Sequence, residues 1–288
     1  MSRTRRSLVP YALLAPGMLW LAIFFAIPLY YMAEISLKEG TLETGYQLTW
    51  HFQTYVDAIK NYDSQLMRSF QYAGLATLIS LAIAFPLAYA IAFRGGRYKT
   101  ALLLMVILPF FTTYLVRTLS WQTILDDSGL VVDALKAVGL LADDGRLLAT
   151  TNAVVAGITY NFLPFMILPV YAALERIDPR MLEAAYDLYA KRRDVITRVV
   201  VPAAAPGIVA GVLLTFIPAA GDFVNAELLG TPQQSMIGTV IQSRYLEITD
   251  YPTAAALSFI LMLIILVLVL VYARFVGTES LTGAEEAR

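Results

Sequence analysis

The sequence contains no cysteine, a single histidine at His51, and little charge: 15% of its 288 residues are Asp, Glu, Lys or Arg. Without cysteine there is neither a disulfide framework nor a thiolate nucleophile, and the compartment stays open. One histidine leaves no histidine-based metal site, so no metal or cofactor is expected on this chain. No Gly-Lys dipeptide occurs, which excludes a Walker-type phosphate loop. A formal net charge of −1 argues against nucleic acid as a partner. What the chain does have is apolar surface, at 58% hydrophobic residues. An ordinary soluble domain carries about 25% charged residues. This one has too little polar surface to cover a water-soluble globule, and its expected solvent is a lipid bilayer.

Charge-free apolar stretches predict six membrane-spanning helices, at 11–32, 70–93, 101–121, 152–174, 203–222 and 253–273. The reading is an all-α integral membrane protein, one transmembrane domain over residues 1–288. About 20 apolar residues cross the hydrocarbon layer. The third stretch reaches that length only if Arg117 snorkels outward near the helix end. Residues 228–243 are also uncharged, but their Thr, Gln, Ser and Gly content predicts an interfacial segment. The first span follows Arg3, Arg5 and Arg6 and has the flank of a secretory signal. Its apolar run exceeds the roughly 7–15 residues of a signal core, so it is expected to remain as the first helix. Lys and Arg fall about two to one on the segments that are inside if the N-terminus is inside. Both termini are therefore expected to be cytoplasmic.

The loop at 175–201 is the informative one. Asp178-Pro179 predicts a helix start, with Asp as cap and Pro in the first turn. Met181–Ala190 follows as a short helix, with Met181, Ala184, Ala185 and Leu188 on one face and Glu183 and Asp187 on another. A basic run, Lys191-Arg192-Arg193, comes next, and Pro202 opens the fifth span with Pro206-Gly207 in its first turns. Such a helix on the inner surface is a docking element in shape, or one that lies on lipid headgroups.

Glu183, Ala184, Ala185, Asp187, Pro202, Pro206 and Gly207 together resemble the EAA loop of ABC importer permeases. The pattern departs at Tyr189, where that family usually has Gly, and at Val201 before the proline. The resemblance implies the type I importer permease fold, with a coupling helix that docks into a cytoplasmic ATPase. Glu183, Ala184, Ala185, Asp187, Pro202 and Gly207 are the coupling residues it implies. It also implies a non-catalytic subunit, ATP being bound by two partner ATPase chains. A second permease and an extracytoplasmic solute-binding protein complete the set. The stretch from Gly221 to Leu257 and the run from Ile107 to Trp121 resemble the spermidine/putrescine branch of these permeases. Relatives of this layout also carry opines, phosphonates or thiamine.

A polyamine site wants carboxylates for its amines and aromatic faces for its stem and charged heads. Asp222 and Glu227, at the mouth of the fifth helix, are candidates, as are Tyr160 and Asn161 in the fourth span, Trp121 in the third, and Tyr245. Helix capping, interhelical hydrogen bonding and packing are the alternatives for each. An ion-driven carrier or channel would place ionisable groups deep in several spans, and a membrane enzyme would need a catalytic constellation; the sequence offers neither.

Overall fold

The computed structural model describes residues 3–276. In chain order the elements are α1 (Arg3–Leu21), α2 (Ile27–Ser36), β1 (Lys38–Thr41), β2 (Gly45–Leu48), α3 (Gln53–Arg94), α4 (Lys99–Ile107), α5 (Tyr114–Leu125), α6 (Leu130–Ala137), α7 (Thr151–Glu175), α8 (Pro179–Asp187), α9 (Arg192–Val195), α10 (Val201–Ala220), α11 (Val224–Leu229), α12 (Ile237–Leu246) and α13 (Tyr251–Val276). Among the described residues five helices are long and apolar enough to cross a membrane: Tyr11–Ser36, Gln53–Arg94, Thr151–Glu175, Arg192–Ala220 and Tyr251–Arg274. The sixth span is a bent pair, Gly96–Phe111 and Tyr114–Ala137, turned by 90° at its break. The chain ends that the expected cytoplasmic placement concerns, residues 1–2 and 277–288, lie outside the described residues.

Prolines inside these spans do not end them. Wide π-helical turns at Ala22–Ala26 and Ile196–Val200 each stop two residues before a proline, Pro28 and Pro202. Proline has no N–H and its ring crowds the carbonyl four residues back. A wide turn just upstream makes room for that ring, and the helix continues. The fifth span accordingly starts at Arg192, with about three turns of extra helix before the expected start that its charges hid from a hydropathy count.

The third span behaves differently. Leu108–Phe111 tightens into a 3₁₀ turn around Pro109, and Thr112 and Thr113 are extended, with ψ of 144° and 147°. The helix expected to run unbroken to Trp121 is therefore interrupted. The missing N–H of Pro109 and two β-branched threonines, which favour extended backbone, supply the reason.

The sequence shows no linker, and a single domain was the expectation; contacts nevertheless divide the chain into two compact units. Of the described residues, those up to Tyr62 with 241–262 form one, and 63–240 with those from Leu263 onward form the other. Helices α3, α12 and α13 run through the three boundaries, which is why composition shows none. In the first unit, β1 and β2 pair antiparallel with Lys38 opposite Leu48. Tyr46 of this hairpin donates to the Thr249 carbonyl at 2.5 Å and stacks on Tyr251 at 5.6 Å. His51 contacts Glu39 at 2.7 Å. The stretch between the first two expected spans thus has structure of its own, and α3 begins at Gln53, with non-helical dihedrals at Tyr62.

In the second unit α7 packs along α10. Small residues permit the approach: a Cβ on Gly207 would lie 2.4 Å from both the Ala173 Cβ and the Pro169 carbonyl oxygen. One apolar cluster gathers Tyr72, Ala76, Ile158, Phe162, Ala220 and Leu229. A second gathers Ala88, Met166, Val170, Leu174, Val195 and Ala204.

Candidate functional site

Two places in the second unit hold many, though not all, of the residues that the sequence singled out. The first lies where the broken third span meets the segment after α10. Past the break, Tyr114 opens α5 and its hydroxyl donates to Asp222 Oδ2 at 2.5 Å. Asn225 Nδ2 donates to the same Oδ2 at 2.7 Å and to the Tyr114 hydroxyl at 2.6 Å. The Asn225 backbone N–H donates to Asp222 Oδ1 at 3.0 Å. From the fourth span, Asn161 Nδ2 reaches Asn225 Oδ1 and Thr118 Oγ1, both at 3.1 Å. Asp222 is 6% exposed and Asn225 0%. Both carboxylate oxygens are thus occupied by this chain's own donors. The cluster ties together α5, α7 and α11, whose backbones would otherwise be joined only by apolar contact. Local sequence explains part of it: Asp222 sits three residues before Asn225 at the start of a short helix, where an acidic side chain accepts orphan N–H groups. Gly157 lets α11 approach, since a Cβ there would lie 2.6 Å from Asn225 Oδ1.

The pathway candidates therefore separate. Asp222 and Asn161 come together inside the cluster, while Glu227 is exposed on α11. Trp121 and Tyr160 come together elsewhere, with ring centroids 5.6 Å apart, and Phe110 lies 5.5 Å from Tyr160. Trp121, Tyr160, Thr159 and Ile79 line a cavity of about 440 Å³. Tyr245 belongs to the first unit, where it stacks on Tyr251 at 5.0 Å. Thr118 and Asn225 are not among the residues the sequence points to. The i, i+3 spacing of Asp222 and Asn225 was the available signal. Beyond α5, Asp126 accepts from the Ser128 hydroxyl at 2.6 Å and the Ser128 N–H at 3.0 Å.

The second place is α8. Asp178 caps it by accepting the Arg180 N–H at 2.9 Å, and Pro179 sits in its first turn. It ends at Asp187, three residues before the expected Ala190. The Ala190 N–H reaches back to the Ala185 carbonyl, the Tyr189 N–H to the Tyr186 carbonyl, and Tyr189 has φ +58°. This is a Schellman ending, with its left-handed position normally given to glycine. Tyr189 thus takes the backbone geometry of the residue it replaces, while its side chain is 95% exposed. Leu182 and Ala185 pack on the second apolar cluster, leaving Glu183, Ala184, Tyr186 and Asp187 outward. Pro202 and Gly207 do not lie on this exposed face; both belong to α10, where Gly207 is buried against α7. Lys99 ties the tight loop before α4 to Glu175, at the end of α7, at 2.9 Å.

The sequence profile of the family described as binding-protein-dependent transport system inner membrane component matches residues 82–277, well over half the chain. The chain belongs to this family. The matched residues include α8 and most of the buried polar cluster. The permease is 35% identical to the spermidine/putrescine transport system permease protein PotB of Haemophilus influenzae, over 88% of this chain and 90% of that one. It is 32% identical to PotB of Escherichia coli, over 88% and 93%. The inner membrane ABC transporter permease protein YdcU of Escherichia coli is 35% identical over 75% of this chain and 71% of its own. Among solved structures, a bacterial alginate ABC transporter in complex with an alginate pentasaccharide-bound periplasmic protein superposes with a TM-score of 0.72 at 21% identity, covering 96% of each chain. The methionine transporter MetNI superposes at 0.56 and 15% identity, covering 74% of this chain and 93% of its own. The fold is that of type I ABC importer permeases, and the permease is a multi-pass component of the inner membrane.

Proposed function

We propose that this permease forms half of the translocation pathway of an ATP-driven importer for a polyamine, spermidine or putrescine. ATP binds and is hydrolysed on two separate ATPase subunits, and the permease itself catalyses nothing and holds no cofactor. Both termini and α8 face the cytoplasm, and the outward residues Glu183, Ala184 and Asp187 on α8 meet the ATPase. Pro202 and Gly207 act behind them by seating α10 against α7. A second permease subunit completes the pathway, and an extracytoplasmic binding protein delivers the solute.

The observation that carries the substrate is the identity to the two PotB proteins over almost the whole of both chains. The aromatic pair Trp121 and Tyr160 beside its cavity suits a cation with a long apolar stem, whose amines are attracted to ring faces. Uptake of labelled spermidine by vesicles holding the full complex and its binding protein tests the reading. Saturable, ATP-dependent uptake is expected. Uptake of neither spermidine nor putrescine would remove the substrate class and leave the family standing.

A further inference from the structure

Arg117, in the first turn of α5, meets no anion among the described residues. Its Nε and Nη1 are buried and unpartnered among the described residues. None of the ion pairs formed among the described residues includes it. Its guanidinium lies over the Phe110 ring at 4.5 Å from the centroid and 5.8 Å from that of Tyr114. The carboxylate of Asp222 is taken up by Tyr114 and Asn225. Stacking on aromatic faces offsets only part of the cost of withdrawing the buried side of a guanidinium from water. A cation so placed in a membrane span calls for a carboxylate from outside the chain, held by the two parallel N–H donors that guanidinium offers.

We infer that Arg117 seats a carboxylate of the second permease subunit, forming an ion pair across the joint between the two halves of the pathway. This rests on the proposed function, because it needs a second permease and a polycationic solute. A bare guanidinium beside the aromatic cavity would repel such a solute, and spermidine and putrescine carry no carboxylate to neutralise it. A carboxylate of the adjoining permease supplies the anion instead.

The test uses the complete complex. In an R117K variant the charge is kept and a primary amine is introduced. A membrane-permeant carbodiimide joins that amine to an adjacent carboxylate as an amide, taking up the lost water as its urea. The expected result is cross-linked permease pairs at least tenfold above the R117Q variant, with the joined peptide containing an Asp or Glu of the second permease. In parallel, R117E should cut recovery of the second permease at least fivefold, by setting two carboxylates face to face. A complex that contains the second permease in full amount, shows no cross-link in R117K and keeps its partner in R117E would overturn the inference while sparing the proposed function. Equal assembly combined with loss of uptake in R117E would place the anion elsewhere, on a solute or a lipid, and would also overturn it. If no second permease, nor a second copy of this chain, accompanies the wild-type protein, both readings fall together.

Discussion

The loop helix α8 and the buried cluster around Asp222 are both rich in polar side chains, yet they use them in opposite ways. On α8 the carboxylates of Glu183 and Asp187 point outward, and the apolar side chains beneath, Leu182 and Ala185, do the holding. Around Asp222 the polar groups point at one another, and every oxygen of that carboxylate is engaged. An exposed carboxylate can be changed with little effect on the fold, because water replaces whatever it met. A buried one leaves its donors stranded. Charge available to a partner and charge spent on architecture are thus separated along the chain, and a residue type alone does not say which is which.

The widest gap between the two regions should appear in Asp222→Ala. It leaves the Tyr114 hydroxyl, the Asn225 amide and a backbone N–H without their acceptor. A loss of roughly 1–3 kcal/mol is expected, seen as an aggregation temperature several degrees lower in detergent. Glu227→Gln, on the exposed face of α11, should leave that temperature unchanged. If the two variants were equally stable, the contrast would fail. If both kept their stability and lost uptake together, Asp222 would be a pathway residue after all. A smaller effect is expected from Asn161→Ala, which removes one arm of the cluster but leaves Asp222 satisfied. Polar contacts between membrane helices average about 0.6 kcal/mol, and its shift should be a fraction of that in Asp222→Ala, measured the same way. The smallest effect should come from Tyr189→Gly. Relief of a left-handed, non-glycine backbone is worth about 1 kcal/mol, so the variant should be slightly more stable. Reduced recovery of the ATPase with it would show that the exposed ring itself is a contact.

Much of this was legible in the sequence. Six spans, the Asp178 cap, the Pro179 start and the outward Glu183 all follow from local rules that the fold obeys. The misses have a shared cause. Hydropathy detects where lipid would be, so the charged first part of α3 and the hairpin of Lys38–Leu48 read as loop. The break at Thr112–Thr113 carries no glycine to announce it. At Tyr189 the left-handed turn survives a residue that disfavours it, because the two backbone hydrogen bonds of the helix ending hold it. Asp222 and Glu227, five residues apart, read as a pair from the chain alone. Only the packing of α5, α7 and α11 shows that one is internal and the other free.

The account rests most heavily on α8 as the outward, partner-facing surface, and one measurement tests it directly. The complete complex, with its binding protein, is reconstituted, and spermidine-stimulated ATP hydrolysis is compared between wild type and Glu183→Arg. The variant should fold with an unchanged aggregation temperature and lose at least nine-tenths of the stimulation, because its reversed charge lies on the exposed face proposed to meet the ATPase and nowhere in the core. Stimulation equal to wild type would contradict the account.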